Sequence, residues 1–133
     1  MTDISDKPHK ISQFISAKFT YDENGQFHSY NDRPSHIHID ETKEWHFHGL
    51  LHRENDLPAV EYDSGYKAWY KFGKRHRDND KPARTAENGW MEFYVDDKLH
   101  RDMNLGPAVI CLDGTKVYYE NSELIKIVCP YGE

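Results

Sequence analysis

Apolar and polar residues alternate in short runs along most of this chain, and turn-forming pairs interrupt the runs at regular intervals. Ser64–Gly65, Asn88–Gly89 and Asp113–Gly114 each lie between two such runs, the strongest short-range signal of a β-hairpin. A second turn follows about eight residues later, at Asn24–Gly25, His48–Gly49 and Phe72–Gly73, and passes to Asp96–Asp97 and Asn121–Ser122 in the last copies. Each unit therefore predicts a three-strand antiparallel meander, in one copy over about 58–63, 66–71 and 74–77.

The runs belong to a repeat. His28, His52, His76 and His100 are spaced 24 residues apart, and Pro34, Pro58 and Pro82 keep that step. Pro107 falls one residue late, which places a one-residue insertion in the last loop, between His100 and Pro107. Trp45, Trp69, Phe93 and Tyr118 form a further column, and Gly65, Gly89 and Gly114 another. Repetition at this period signals an array of supersecondary units. The fold expected is an all-β, single-domain hairpin or meander array, with residues 1–18 as an N-terminal tail or cap, 19–125 as the array and 126–133 as a C-terminal cap strand and tail.

If both turns contain two residues, they set the register. Val60 then faces Trp69 and Trp69 faces His76, with equivalent rows His36, Trp45, His52 and Arg84, Phe93, His100. The other face carries Ala59, Tyr70 and Arg75, repeated as Ala83, Tyr94 and Leu99. Ile11, Phe14 and Ile15 stand at helical spacing, enough for a short turn or strand over the first edge, and the tail before Pro130 reads as a last apolar strand.

The stretch "GLLHRENDLPAVEYDSGYKAWYKFGKRHRDNDKPA" resembles MORN-type β-hairpin repeats, in the "HR…PA" variant of small phage, viral and bacterial proteins. The likeness extends over about residues 19–125, with Pro-Ala after the loop where the standard unit has glycines. It implies a non-enzymatic array that serves as a contact surface.

An apolar fraction of 37% is low for a core flanked by helices, so nine Tyr, six Phe and three Trp must supply much of the burial. A net charge of −6 argues against a nucleic-acid or anionic-membrane surface built on bulk charge, and suits a protein partner with a basic surface. Cys111 and Cys129 show no close pairing pattern and read as reduced thiols. With neither a signal-peptide pattern nor a long apolar run, a cytoplasmic protein is expected.

The His-Arg-acid triplet suggests a kinase catalytic loop, but that loop needs an Asn five residues after its Asp; Ala83 and Pro107 stand there after Asp78 and Asp102. A structural role for the His, with the Arg and acid pairing in the turn that follows, explains three copies more simply. His36, His38, His46 and His48 raise the question of metal. In the two-residue register His36 and His38 fall on the Trp45 face and His46 and His48 on the other, which argues against one four-His site and leaves a two-His site completed by His52 or Asp40 as the alternative. Cross-strand packing and solvent exposure explain these residues more simply, so neither a metal nor any other cofactor is expected. Glu54, Asp56, Asp78, Asp80 and Asp102 form an acidic loop edge, but Arg53, Arg77 and Arg101 offset it, which disfavours a DNA mimic.

The sequence thus points to a non-enzymatic protein-binding array, with inhibition of a host defence protein such as a nuclease effector as one role by association. An antitoxin or immunity protein is the alternative, and MORN-type lipid recognition, without a polybasic segment, a third. Contact residues are expected where the repeat is broken at the surface: Trp90, Arg84, His46 and the Asp96, Asp97 pair, then the loop-edge acids Asp78, Asp80 and Asp102. No direct nucleic acid is expected as partner.

Overall fold

The computed structural model describes residues 17–131. The expected N-terminal segment with Ile11, Phe14 and Ile15 lies outside these residues. A short β1 (Lys18–Phe19) precedes the first complete unit, which holds β2 (His36–Ile37), β3 (Lys43–Glu44), β4 (His46–Phe47) and β5 (Leu50–Leu51). The second has β6 (Val60–Glu61), β7 (Lys67–Ala68), β8 (Tyr70–Lys71) and β9 (Lys74–Arg75). The third has β10 (Arg84–Thr85), β11 (Met91–Glu92), β12 (Tyr94–Val95) and β13 (Lys98–Leu99). The chain closes with β14 (Val109–Ile110), β15 (Lys116–Glu120) and β16 (Glu123–Val128).

All pairings are antiparallel, and no helix occurs among the described residues. Ten strands form one sheet in the order β1-β2-β3-β6-β7-β10-β11-β14-β15-β16, while β4-β5, β8-β9 and β12-β13 form separate two-stranded ribbons. The all-β hairpin array expected from the repeat is therefore present. The middle strand of each meander is split: Trp45, Trp69 and Phe93 sit between a main-sheet strand and a ribbon strand. Each of these residues gives its backbone N–H to the alanine of the following Pro-Ala, as Trp69 does to Ala83 O at 2.7 Å, so the split is also where adjacent units join.

The two turns of each unit differ, and one expectation is corrected. Phe72–Gly73 is a two-residue turn between Tyr70↔Arg75 and Lys71↔Lys74, with φ of 47° and 86°, as the register predicts. The loop at Ser64–Gly65 contains three residues, closed by Tyr62 N–H donating to Tyr66 O, with Gly65 at φ 94°. Such loops combine a type I turn with a left-handed residue. Val60 consequently faces Ala68, not Trp69; His36 faces Glu44, not Trp45; and Arg84 faces Glu92, not Phe93. Asn24–Gly25 belongs to this three-residue class too, since Asp22 N–H donates to Gln26 O.

Trp69, Ala83 and Tyr94 form a core cluster with Leu99 packed against it, and Trp45, Phe93 and Val60 are likewise buried. Tyr118, the last of the aromatic column, is half-buried beneath Lys126. The terminal strand β16 is exposed along its whole length.

Candidate functional site

The His-Arg loops are fasteners between units. Arg77 lies with Cζ 3.8 Å from the centre of the Trp69 ring, donates from Nη1 to Pro82 O at 3.1 Å, and forks Asp56 through Nε at 2.9 Å and Nη2 at 3.3 Å. Arg53 repeats this on Trp45, Pro58 and Asp32, and Arg101 on Phe93, Pro107 and Asp80. The acid thus comes from the preceding unit, not from the turn that follows the Arg. Planar stacking combined with a bidentate fork is what distinguishes Arg from Lys here.

The recurring His completes the fastener. Nδ1 of His28, His52, His76 and His100 accepts the backbone N–H of the first turn residue in the next unit, at His48, Phe72, Asp96 and Asn121, over 2.9–3.0 Å. An acceptor Nδ1 leaves the proton on Nε2, which pairs with Glu54 in His52 and with Asp78 in His76. The groove of about 330 Å³ beside Phe93 and Arg101 is lined largely by groups that these bonds already engage.

These contacts settle where the acidic candidates lie. Asp80 is held by Arg101, and Asp78 by His76 and Lys71. Asp97 takes Arg75 at 2.6 Å, Asp96 is 3.5 Å from His76, and Asp102 accepts the N–H of Asn104 in its own loop. The hydrogen bond from Arg77, then that from Lys81, lowers the Asp56 pKa to about 2, and the bond from Arg75 lowers that of Asp97. The stripe is therefore largely neutralised within the array.

Arg84 and Trp90, by contrast, are brought together. The three-residue loops place both on one face of the main sheet with Tyr62 and Tyr66. Tyr66 is the centre: Trp90 stacks on it at 6.1 Å, Tyr62 tilts against it at 5.1 Å, and Arg84 Cζ lies 5.4 Å from its ring centre. Arg84 Nη1 is 3.3 Å from Glu92 Oε1. Burial raises the pKa of the Tyr66, Tyr70 and Tyr94 hydroxyls, so all three remain protonated donors.

Three buried side-chain atoms lack a hydrogen-bond partner among the described residues: Tyr66 Oη, Glu92 Oε1 and His38 Nε2. All belong to residues on this same face, since directly paired strand positions and those two apart share a side. Native proteins satisfy nearly every buried polar group, so each exception calls for a physical reason, such as strain, a chemical role or a bound water or ion.

His46 departs from its expected exposure. It is only 8% exposed, its Nδ1 lies 2.7 Å from Ser35 Oγ, and its Nε2 points towards Glu44 with His36 and His38 nearby. The face assignment that separated His46 from His36 and His38 is thereby overturned. His48 stands apart, in a turn, bonded to Asp22 at 2.6 Å. Burial pushes the pKa of His36 and of His46 below the usual imidazole range. Glu44, Tyr62, Tyr66 and Glu92 are the residues that sequence reasoning missed; the signal was loop length, which a Ser-Gly or Asn-Gly pair does not specify by itself.

Among known proteins, no family model, no curated protein and no solved structure matches the chain. Among the described residues, no helix is long and apolar enough to cross a membrane.

Proposed function

We propose that this chain is a non-catalytic protein-binding array that engages another protein through the sheet face carrying Tyr62, Tyr66, Arg84 and Trp90. The observation that carries this reading is the Tyr66 cluster: Tyr62, Trp90 and Arg84 each packed against the Tyr66 ring at positions where the repeat is broken, with the buried Tyr66 Oη left without a hydrogen bond. Tyr, Trp and Arg are the usual anchors of protein interfaces, and a partner's polar group would satisfy the Tyr66 hydroxyl. A net charge of −6 favours encounter with a basic partner.

The test is retention of a partner from the source cell by the parent and by Arg84→Ala and Trp90→Ala. Either change is expected to weaken binding about tenfold or more, the equivalent of about 1.4 kcal/mol, while circular dichroism stays that of the parent. The identity of the retained protein separates an inhibitor of a nuclease effector from an antitoxin. Folded variants that bind like the parent would move the contact surface elsewhere, with the loop-edge acids Asp78 and Asp102 next in line.

A further inference from the structure

Glu44 and Glu92 occupy the same register position two units apart, and their neighbours differ. Each faces, across the strand pair, the residue that opens the unit: His36 for Glu44 and Arg84 for Glu92. Glu92 therefore has a permanent cation, with Arg84 Nη1 3.3 Å away. Among the described residues, the basic groups within ion-pair distance of Glu44 are three imidazoles. His36 Nδ1 is 3.6 Å from Oε1, His38 Nε2 3.1 Å from Oε2 and His46 Nε2 3.7 Å from Oε1. The Glu44 side chain is only 23% exposed, and a carboxylate withdrawn from water calls for a positive partner.

We propose that His36, His38 and Glu44, with His46 as the fourth ligand, hold a divalent ion of the zinc class. The donor atoms of the first three lie within 4.8 Å of one another. A tetrahedral zinc with bonds of about 2.0–2.1 Å keeps its donors roughly 3.3 Å apart, and the carboxylate-to-imidazole separations of 3.1–3.7 Å, taken over both Glu44 oxygens, bracket that value. His38 Nε2 is buried 3.1 Å from Glu44 Oε2 yet makes no hydrogen bond to it, an arrangement that a shared metal ion would satisfy.

The surroundings supply what ligating side chains need. Ser35 Oγ donates to Glu44 O at 3.2 Å and meets His46 Nδ1 at 2.7 Å, so the His46 proton sits on Nδ1 and Nε2 is bare towards Glu44. This is the outer-shell bond that orients a metal-binding imidazole. His36 and His38 stack at 3.7 Å, and Phe27 packs on His36 at 5.1 Å and on His46 at 5.0 Å, fixing the rings in an apolar wall. Imidazole and carboxylate together favour zinc, cobalt or nickel over magnesium.

This inference is independent of the protein-binding reading. Untagged full-length protein, stripped with EDTA and dialysed, is titrated with zinc chloride by calorimetry and with cobalt chloride by visible absorption. One equivalent of zinc is expected, with the visible bands of four-coordinate cobalt, no response to magnesium, and a rise in melting temperature reversed by EDTA. Glu44→Gln and His38→Ala should weaken zinc at least tenfold, and Ser35→Ala about ten- to hundredfold through loss of ring orientation. His48→Ala, outside the cluster, should bind as the parent does. No saturable zinc binding by the folded parent, or undiminished binding by a folded Glu44→Gln, overturns the proposal. Should variants fail to fold, ring resonances of His36, His38 and His46 in the parent decide alone: selective shifts on zinc addition support it, and unmoved resonances refute it.

Discussion

The loop edge of the array and the sheet face beside it are made by the same units, yet one repeats and the other does not. At the edge, Arg53, Arg77 and Arg101 each stack on the unit's aromatic ring and fork the acid of the unit before, while His28, His52, His76 and His100 each hold a turn of the unit after. Every such bond crosses a unit boundary, so a change in one unit leaves a charged or polar group unpaired in its neighbour. On the face, His36, Val60, Arg84 and Val109 succeed one another at one register position. No bond of the array depends on their being alike. Repetition thus marks what holds the molecule together, and departure from it marks where specific chemistry is free to sit.

If this division holds, edge substitutions should cost stability and face substitutions should cost recognition. The largest loss is expected for Trp69→Ala, because that ring is 8% exposed, packs in the core cluster and carries Arg77. Roughly 3–5 kcal/mol should be lost, read as a lower denaturation midpoint. Arg77→Ala comes next, at about 2 kcal/mol, since it removes the stack on Trp69, the fork to Asp56 and the bond to Pro82 O. Arg77→Lys should recover little of it, because an ammonium cannot reproduce the planar fork. If Trp90→Ala on the face proved as destabilising as either, the division would fail; it is expected to cost about 1 kcal/mol or less, the worth of one aromatic pair.

The hairpins, the period and the second turn could be read from the chain because each is a local pattern. Phe72–Gly73 behaves as expected, and Asp96–Asp97 and Asn121–Ser122 adopt the same positive φ without glycine. The first turn could not be read in the same way. Ser64–Gly65 fits both a two-residue turn and a three-residue loop with a left-handed glycine, and that choice shifts the register by one residue, which moves every side chain to the other face. Glu44, Tyr66 and Glu92 were hidden for that reason alone. Arg84 and Trp90 could be singled out as candidates without the register because they break the repeat. The Arg–Asp forks were half legible: the acid types are right, but the partner stands in the preceding loop, 21 residues back, where local reasoning does not look.

A smaller effect probes the His half of the fastener. His76→Ala should cost about 1 kcal/mol, because the Asp96 N–H, now 3.0 Å from Nδ1, loses its acceptor. Hydrogen exchange sharpens the test, since the Asp96 amide should exchange faster while the equivalent Phe72 amide, held by His52, keeps its protection. Equal acceleration at both would mean that the units open together and that the bond at one boundary is not a local fastener.

The smallest expected effect is also the one that separates edge from face by pH. Arg77 and Lys81 lower the Asp56 pKa from the usual 3.8 to about 2, and hydrogen bonds from Arg53, His76 and Arg75 lower those of Asp32, Asp78 and Asp97. A carboxyl with a folded-state pKa below its unfolded one binds fewer protons when folded. Its contribution to stability is therefore present above about pH 4 and is lost as pH falls through the folded value. These carboxylates are all partly exposed, so each contribution is modest and screened by salt. Denaturation midpoints should fall between about pH 4 and pH 2, less steeply in high salt. Asp56→Asn should flatten that fall, because the residue no longer titrates, while Trp90→Ala should leave its slope untouched. A slope that changed with Trp90→Ala and not with Asp56→Asn would place the acid-sensitive pairs on the face and undo the distinction between the two regions.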